Sequence, residues 1–242
     1  MIDKQIWVFK EGKAGSLWFC NTLEKKLQRT SFHYEEQICS FAYEKTHGKK
    51  ANLPFRPQDP VNLDFPKYIN DLKDISFFYS THRFNLLKFV DLLEKDTILI
   101  RLTRRNRAEH VLSKLAHDMF PRANRRVFVD QINQTGTEPD TKSFYDVPRH
   151  VTKQQVKKKF QHLKETDVLW NTYSKNHTNA VVVYEDLESG ALINPLNTTI
   201  KFSDNVSFIK KNPYYKKDAF INYDQIVEWC HEYENEFELT QY

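Results

Sequence analysis

Glycine is scarce, with five in 242 residues, and none falls in the G-x4-G-K-[ST] pattern of an ordinary ATP- or GTP-binding loop. Gly12 and Gly15 stand too close together for that pattern, and no Lys-Ser/Thr pair follows them. Cysteine is scarcer still. Cys20, Cys39 and Cys230 are odd in number and widely spaced, which excludes a disulfide framework. No CxxC pair or Cys/His ligand spacing suggests a zinc site or any other metal. The helical spacing around Cys20 and Cys230 places both on apolar faces, as core residues rather than reactive thiols. No apolar run is long enough to span a bilayer, and Met1-Ile2-Asp3-Lys4-Gln5 lacks the apolar core of a signal peptide. The expectation is a cytoplasmic protein with no membrane partner. Linkers, low-complexity tracts and repeats are also missing, so the chain is expected to form one domain over 1–242.

The residues that are present suit a globular core. Apolar content is 40% and aromatic content 14%, enough to exclude disorder. A chain of this length buries roughly 70–75% of its unfolded surface. The formal charge is +4, and basic residues come in small clusters: Arg104-Arg105-Asn106-Arg107, Arg125-Arg126, Lys157-Lys158-Lys159, Lys210-Lys211 and Lys216-Lys217. Such clusters are solvated faces or contacts for a polyanion. They are dispersed rather than striped, and no nucleic-acid-binding module accompanies them.

Short apolar runs alternate with helical patterns. Residues 5–9 form a β-prone run that breaks into a glycine-containing loop, after which Phe19, Cys20, Leu23 and Leu27 fall at helical spacing. Runs at 75–79, 97–102 and 180–184 predict further strands, with helical patterns at 84–93 and 108–119. Thr152 and Gln155 have capping-box spacing ahead of a helix to about residue 174. A last helix is predicted from Asp224. Continuous apolar strands alternating with helices imply an α/β fold, a central parallel sheet flanked by helices. The polar stretch 121–147 suits an acceptor-binding loop or a plain surface excursion equally well.

Three segments following these strands carry candidate chemistry. The first is Lys13-Ala14-Gly15-Ser16-Leu17-Trp18 with Leu23. A helix start behind a short glycine loop offers N–H groups to phosphate or sulfate oxygens; the plain alternative is a turn with an exposed lysine. This segment resembles the K-S-G-T-T-W-x4-L loop of sulfotransferases that use 3′-phosphoadenosine 5′-phosphosulfate (PAPS), with Leu17 where a second threonine is usual. The second is Ser80-Thr81-His82-Arg83-Phe84-Asn85-Leu86-Leu87, similar to the family's K-T-H-L-P-x-x-L-L, with Ser80 in place of the lysine and Arg83-Phe84 in place of Leu-Pro. Strand-end histidines are usually structural, but in this context His82 becomes the candidate base. The third is Arg105-Asn106-Arg107-Ala108-Glu109 with Ser113 eight residues on, which looks like R-N-P-x-D-x-x-x-S, with Arg107 for proline and Glu109 for aspartate. Alone it would be a solvated basic helix start.

Residues 180–187, ending Tyr184-Glu185-Asp186-Leu187, are similar to a Y-E-D-L strand end common in the family, and we read them as architectural, together with Trp170 upstream. Phe208-Ile209-Lys210-Lys211-Asn212 weakly resembles an F-x-R-K-G loop; a solvated lysine pair is the favoured reading there, with Lys210 and Lys211 kept as candidate contacts. The resemblance covers residues 5–187 in patches. It implies a P-loop-nucleotide-binding-like sulfotransferase fold, with PAPS as sulfuryl donor and PAP as product. It further implies that Lys13 and residues Ala14, Gly15, Ser16, Leu17 and Trp18 hold the 5′-phosphosulfate end of the cofactor. His82 would take the acceptor's proton, and Arg105 and Ser113 would hold the 3′-phosphate. The acceptor, a small molecule or a carbohydrate, is not legible. The alternatives are a nucleotide-dependent kinase with a degenerate loop, or a non-catalytic binder of nucleic acid or another polyanion.

Overall fold

The computed structural model describes residues 4–12, 14–32, 77–119, 147–204, 217 and 219–242. Lys13, Cys39, Lys210, Lys211 and all of 121–147 except Val147 lie outside these residues, as does the side chain of Leu17. The chain divides into two compact units, Met1–Arg105 with Thr166–Phe208 and Tyr242, and Asn106–Glu165 with Ile209–Gln241.

The first unit is built on a five-stranded, wholly parallel sheet, so the α/β expectation holds. Its strands are β1 (Ile6–Lys10), β2 (Thr30–Phe32), β3 (Phe77–Thr81), β4 (Ile98–Thr103) and β5 (Thr178–Val183), in the order β2-β3-β1-β4-β5. Strand β1 reads Ile-Trp-Val-Phe-Lys and is buried along its whole length, as a central parallel strand covered on both faces must be. Side chains alternate across the sheet. Ile6 and Val8 therefore join Phe19, Cys20 and Leu23 of helix α1 (Ser16–Leu27) on one face. Trp7 and Phe9 pack with Phe84, Leu87, Val90 and Trp170 on the other. Each large apolar side chain buried this way contributes about 1.5–3 kcal/mol.

Two departures from the predicted elements have local causes. Of the strand expected at 75–79, residues 75 and 76 lie outside the described residues; the strand extends through Ser80 and Thr81, both fully buried, because they pair in register with Val8 and Phe9 of β1. The helix expected at 84–93 is a 3-10 helix, Phe84–Leu92. Its buried residues Phe84, Leu87 and Val90 recur every third position, which matches three residues per turn better than 3.6. A small antiparallel pair, β6 (Ala191–Ile193) and β7 (Thr198–Ile200), was not legible in the sequence; Asn197 turns it with φ 46°.

The second unit is helical. Helix α2 (Arg107–Met119) and helix α4 (Tyr223–Phe237) share a core with the first part of helix α3 (Lys153–Tyr173); residues of α3 from Thr166 onward belong to the first unit. Val111, Leu115, Val156, Phe160, Ile226 and Cys230 meet in that core. The start of α3 carries the predicted capping box: the Thr152 amide donates to Gln155 Oε1 at 2.8 Å, and the Gln155 amide donates to Thr152 Oγ1 at 3.3 Å. Asn106 caps α2 by accepting from the Glu109 amide at 2.8 Å. Cys20 and Cys230 are both buried free thiols, as expected. Burial pushes Cys20 up, with Lys10 and Ser80 opposing, and pushes Cys230 up to about 12.

Thr152→Ala is expected to lower stability by about 1 kcal/mol, measured as a fall in denaturant midpoint, with Thr152→Ser restoring most of it. No change in midpoint would show that the box does not hold the helix start.

Candidate functional site

The connection leaving β1 runs toward β2, whereas the connection leaving β4 runs toward β5 on the other side. The two connections diverge at the C-terminal ends of neighbouring strands, where open α/β sheets collect ligands. Four segments end there side by side in the first unit. His82 follows β3, residues 11–15 follow β1, Arg104 and Arg105 follow β4, and Tyr184–Leu187, a short 3-10 turn, follows β5.

The β1 loop is tightly shaped. Ala14 is fully buried, and its amide donates to the Glu11 carbonyl at 3.3 Å. Gly15 is the N-cap of α1, with φ 69° and no side-chain cap. A Cβ there would lie 2.7 Å from the Tyr184 ring, so both the left-handed backbone and the close ring demand glycine. The first turn of α1 holds no acidic residue, which leaves the positive end of its dipole uncancelled within the helix. Ser16 is half-buried at this end. Trp18, expected against the cofactor, is a core residue 6% exposed, its ring 4.9 Å from that of Phe202.

His82 is half-buried and hydrogen-bonded through Nδ1 to the Lys10 carbonyl at 2.7 Å. A carbonyl only accepts, so Nδ1 carries the proton and the lone pair of the neutral ring lies on Nε2. The end of β1 therefore fixes both the tautomer and the ring direction of the candidate base. Lys10 itself is 2% exposed, a buried lysine at the strand end that sequence reasoning did not single out.

Beneath the loop lies a buried ionic cluster. Trp7, Phe9 and Glu11 follow one another on the same face, and Arg101 of β4 stands beside Phe9 in the register. Arg101 Nε donates to Glu11 Oε1 at 3.0 Å, and Nη2 donates to both Glu11 and Asp167. Nη1 donates to the Tyr242 hydroxyl, and the guanidinium lies 5.0 Å from the Tyr242 ring centre. Burial opposes the charge on Arg101, but Glu11, Tyr242 and Asp167 outweigh it and hold the guanidinium above its ordinary range.

The two arginines at the end of β4 meet the acids at the end of β5. Arg104 Nε donates to Glu185 Oε1 at 3.2 Å, with its guanidinium 5.0 Å from the Tyr184 ring centre. The Arg105 amide donates to Glu185 Oε2 at 2.8 Å. Arg105 Nη2 reaches Asp186 Oδ1 and Oδ2 at 2.8 and 3.0 Å, and Nε donates to the Tyr242 main-chain oxygen at 2.9 Å. Burial raises the pKa of Glu185, but the Arg105 amide and the Arg104 charge overcome it and hold the carboxyl below its usual value. Ser113 lies on α2, in the second unit, and is half-buried.

No protein-family model matches the chain, and no curated protein matches its sequence. Among the described residues no cluster of His, Cys, Asp and Glu suits a metal ion, and no helix is long and apolar enough to cross a membrane.

Arg101→Met leaves Glu11 and Asp167 buried without their cation and is expected to cost about 3–5 kcal/mol by chemical denaturation; a loss under ~1 kcal/mol would mean that the cluster carries little of the unit's stability. Glu185 predicts an acid dependence. Its folded pKa lies below the ordinary value of 4.5, so its contribution is complete above about pH 4.5 and is lost as pH falls through the folded value. Glu185→Gln should remove that part of the acid-unfolding profile and leave its slope above pH 6 unchanged.

Proposed function

We propose that the chain is a PAPS-dependent sulfotransferase with a P-loop-nucleotide-binding-like fold. The observation that carries this reading is the arrival of His82, the Gly15 helix start and Arg105 at one edge of the sheet, behind the adjacent strands β3, β1 and β4. The donor set suits the ligand. A helix start without acids offers amides to a phosphosulfate, and a guanidinium at a neighbouring strand end suits a phosphate. PAPS supplies the activated sulfuryl group. In this reading Lys13 and the amides at 15–17 bind the phosphosulfate and stabilise charge on the bridging oxygen as the S–O bond breaks. His82 Nε2 takes the proton from the acceptor hydroxyl as the new O–S bond forms. Arg105 and Ser113 are assigned to the 3′-phosphate, and Lys210 and Lys211 remain candidates there. A cytoplasmic setting and a small-molecule or carbohydrate acceptor belong to the same reading.

The test is calorimetric titration with PAP, ADP and ATP on the wild type and on Arg105→Ala. PAP should bind at least about tenfold more tightly than either nucleotide, the scale of one charge-assisted hydrogen bond, and Arg105→Ala should erase the difference. His82→Ala should abolish turnover while largely sparing PAP binding. Tighter binding of ATP would replace this reading with a kinase. Salt-dependent binding of nucleic acid with no nucleotide bound would replace it with a polyanion binder.

A further inference from the structure

Arg105 is the candidate anion-binding group of the site, and the protein itself already supplies an anion to it. Both carboxylate oxygens of Asp186 lie within 3.0 Å of Arg105 Nη2. Glu185 holds the Arg105 amide and the Arg104 side chain in the same way. Arg104 and Arg105 against Glu185 and Asp186 give no net charge. A phosphate arriving at Arg105 would therefore meet a guanidinium that is already neutralised, with a carboxylate beside it.

We propose that Asp186 is an internal competitor for the anion that Arg105 binds, and that a ligand phosphate enters as the carboxylate swings away. Three features carry this. The pair is on the surface, with side chains 47% and 44% exposed, so its parting takes neither group out of water or into it. The backbone of Asp186 is anchored separately: its carbonyl accepts from the Gly190 amide at 2.9 Å and from the Ser189 hydroxyl at 3.2 Å. Rotation of the side chain alone then opens Arg105 without disturbing the turn. Arg105 keeps a second hold, the Tyr242 main-chain oxygen on Nε, while Asp186 leaves.

The competitor also selects its ligand class. Exchange of a carboxylate for a phosphodiester trades one single negative charge for another. A terminal phosphate carries about −1.5 to −2 at neutral pH and three acceptor oxygens, so it displaces the carboxylate with a net gain. Asp186 thus favours terminal phosphomonoesters over the diesters of a nucleic-acid backbone. This rests on the sulfotransferase reading only for the identity of the nucleotide; the competition concerns any anion at Arg105.

The experiment titrates wild type, Asp186→Asn and Asp186→Ser with PAP, inorganic phosphate and dimethyl phosphate, following the Arg105 Nε–H NMR signal, assigned with Arg105→Lys. Removing the carboxylate should tighten PAP and inorganic phosphate about fivefold, the change available from an exposed ion pair. It should also narrow the preference for phosphate over dimethyl phosphate. If PAP binds none of these proteins while inorganic phosphate tightens, the competitor stands and the sulfotransferase reading falls. Unchanged or weaker phosphate and PAP binding in both variants overturns the competitor, leaving Asp186 as a brace for Arg105, and wild-type PAP binding is then judged on its own. Absence of any anion effect at Arg105 in all proteins overturns it as well.

Discussion

The first unit depends on a cation that has no access to water. Arg101 stands on β4 with its side chain fully buried, and Glu11, Asp167 and Tyr242 surround it. A guanidinium in such a place is tolerated only where carboxylates are fixed around it. The same requirement works in reverse, because Glu11 and Asp167 are buried and depend on the arginine. Glu11 is the first residue beyond β1, so its anchoring decides where the glycine loop begins. The position of Gly15 and the direction of α1 follow from that point. A loop that starts on a buried ion pair starts on a contact of little compliance, since moving either partner exposes a bare charge to apolar surroundings.

Opposed charge organises the sheet edge too, but at the surface and with different consequences. Arg105 meets Asp186 at half-exposed positions, where salt and water weaken the attraction, while the Arg104–Glu185 pair beside it is more covered. The buried cluster is therefore the harder to part, whereas the Arg105–Asp186 pair is screened by water. Asn106 adds a boundary, since its side chain caps α2 and thereby gives the residue after Arg105 a structural task of its own.

Much of this was legible in the sequence, for physical reasons that differ by element. The run at 5–9 read as a strand buried on both faces because Ile6–Phe9 are apolar at consecutive positions, though its central place in the sheet was not legible. The Thr152–Gln155 box was legible because both partners lie within one turn. His82 and Arg105 could be placed at strand ends because the strands ahead of them were strong. The pairing of Arg105 with Asp186 was not legible, although both residues were in view, because it depends on the register between β4 and β5 across a long stretch of chain. Tyr242 was missed for the same reason. The packing of Trp18 on Phe202 was not legible either, because a lone aromatic early in a helix carries no signal of which neighbour it meets.

The 3-10 helix between β3 and β4 has a geometric consequence. The connection must carry the chain from the C-terminal edge of the sheet back to its N-terminal edge. Nine residues of 3-10 helix at about 2.0 Å each cover roughly 18 Å, whereas nine residues of α-helix at about 1.5 Å each cover only roughly 13–14 Å. A five-residue strand at about 3.3 Å per residue is roughly 16 Å long. The nine helical residues alone therefore match one full strand length, which leaves residues 82–83 and 93–97 to turn the chain at either end. Its thinner coil spends few residues on the return and keeps the rest for the two bends.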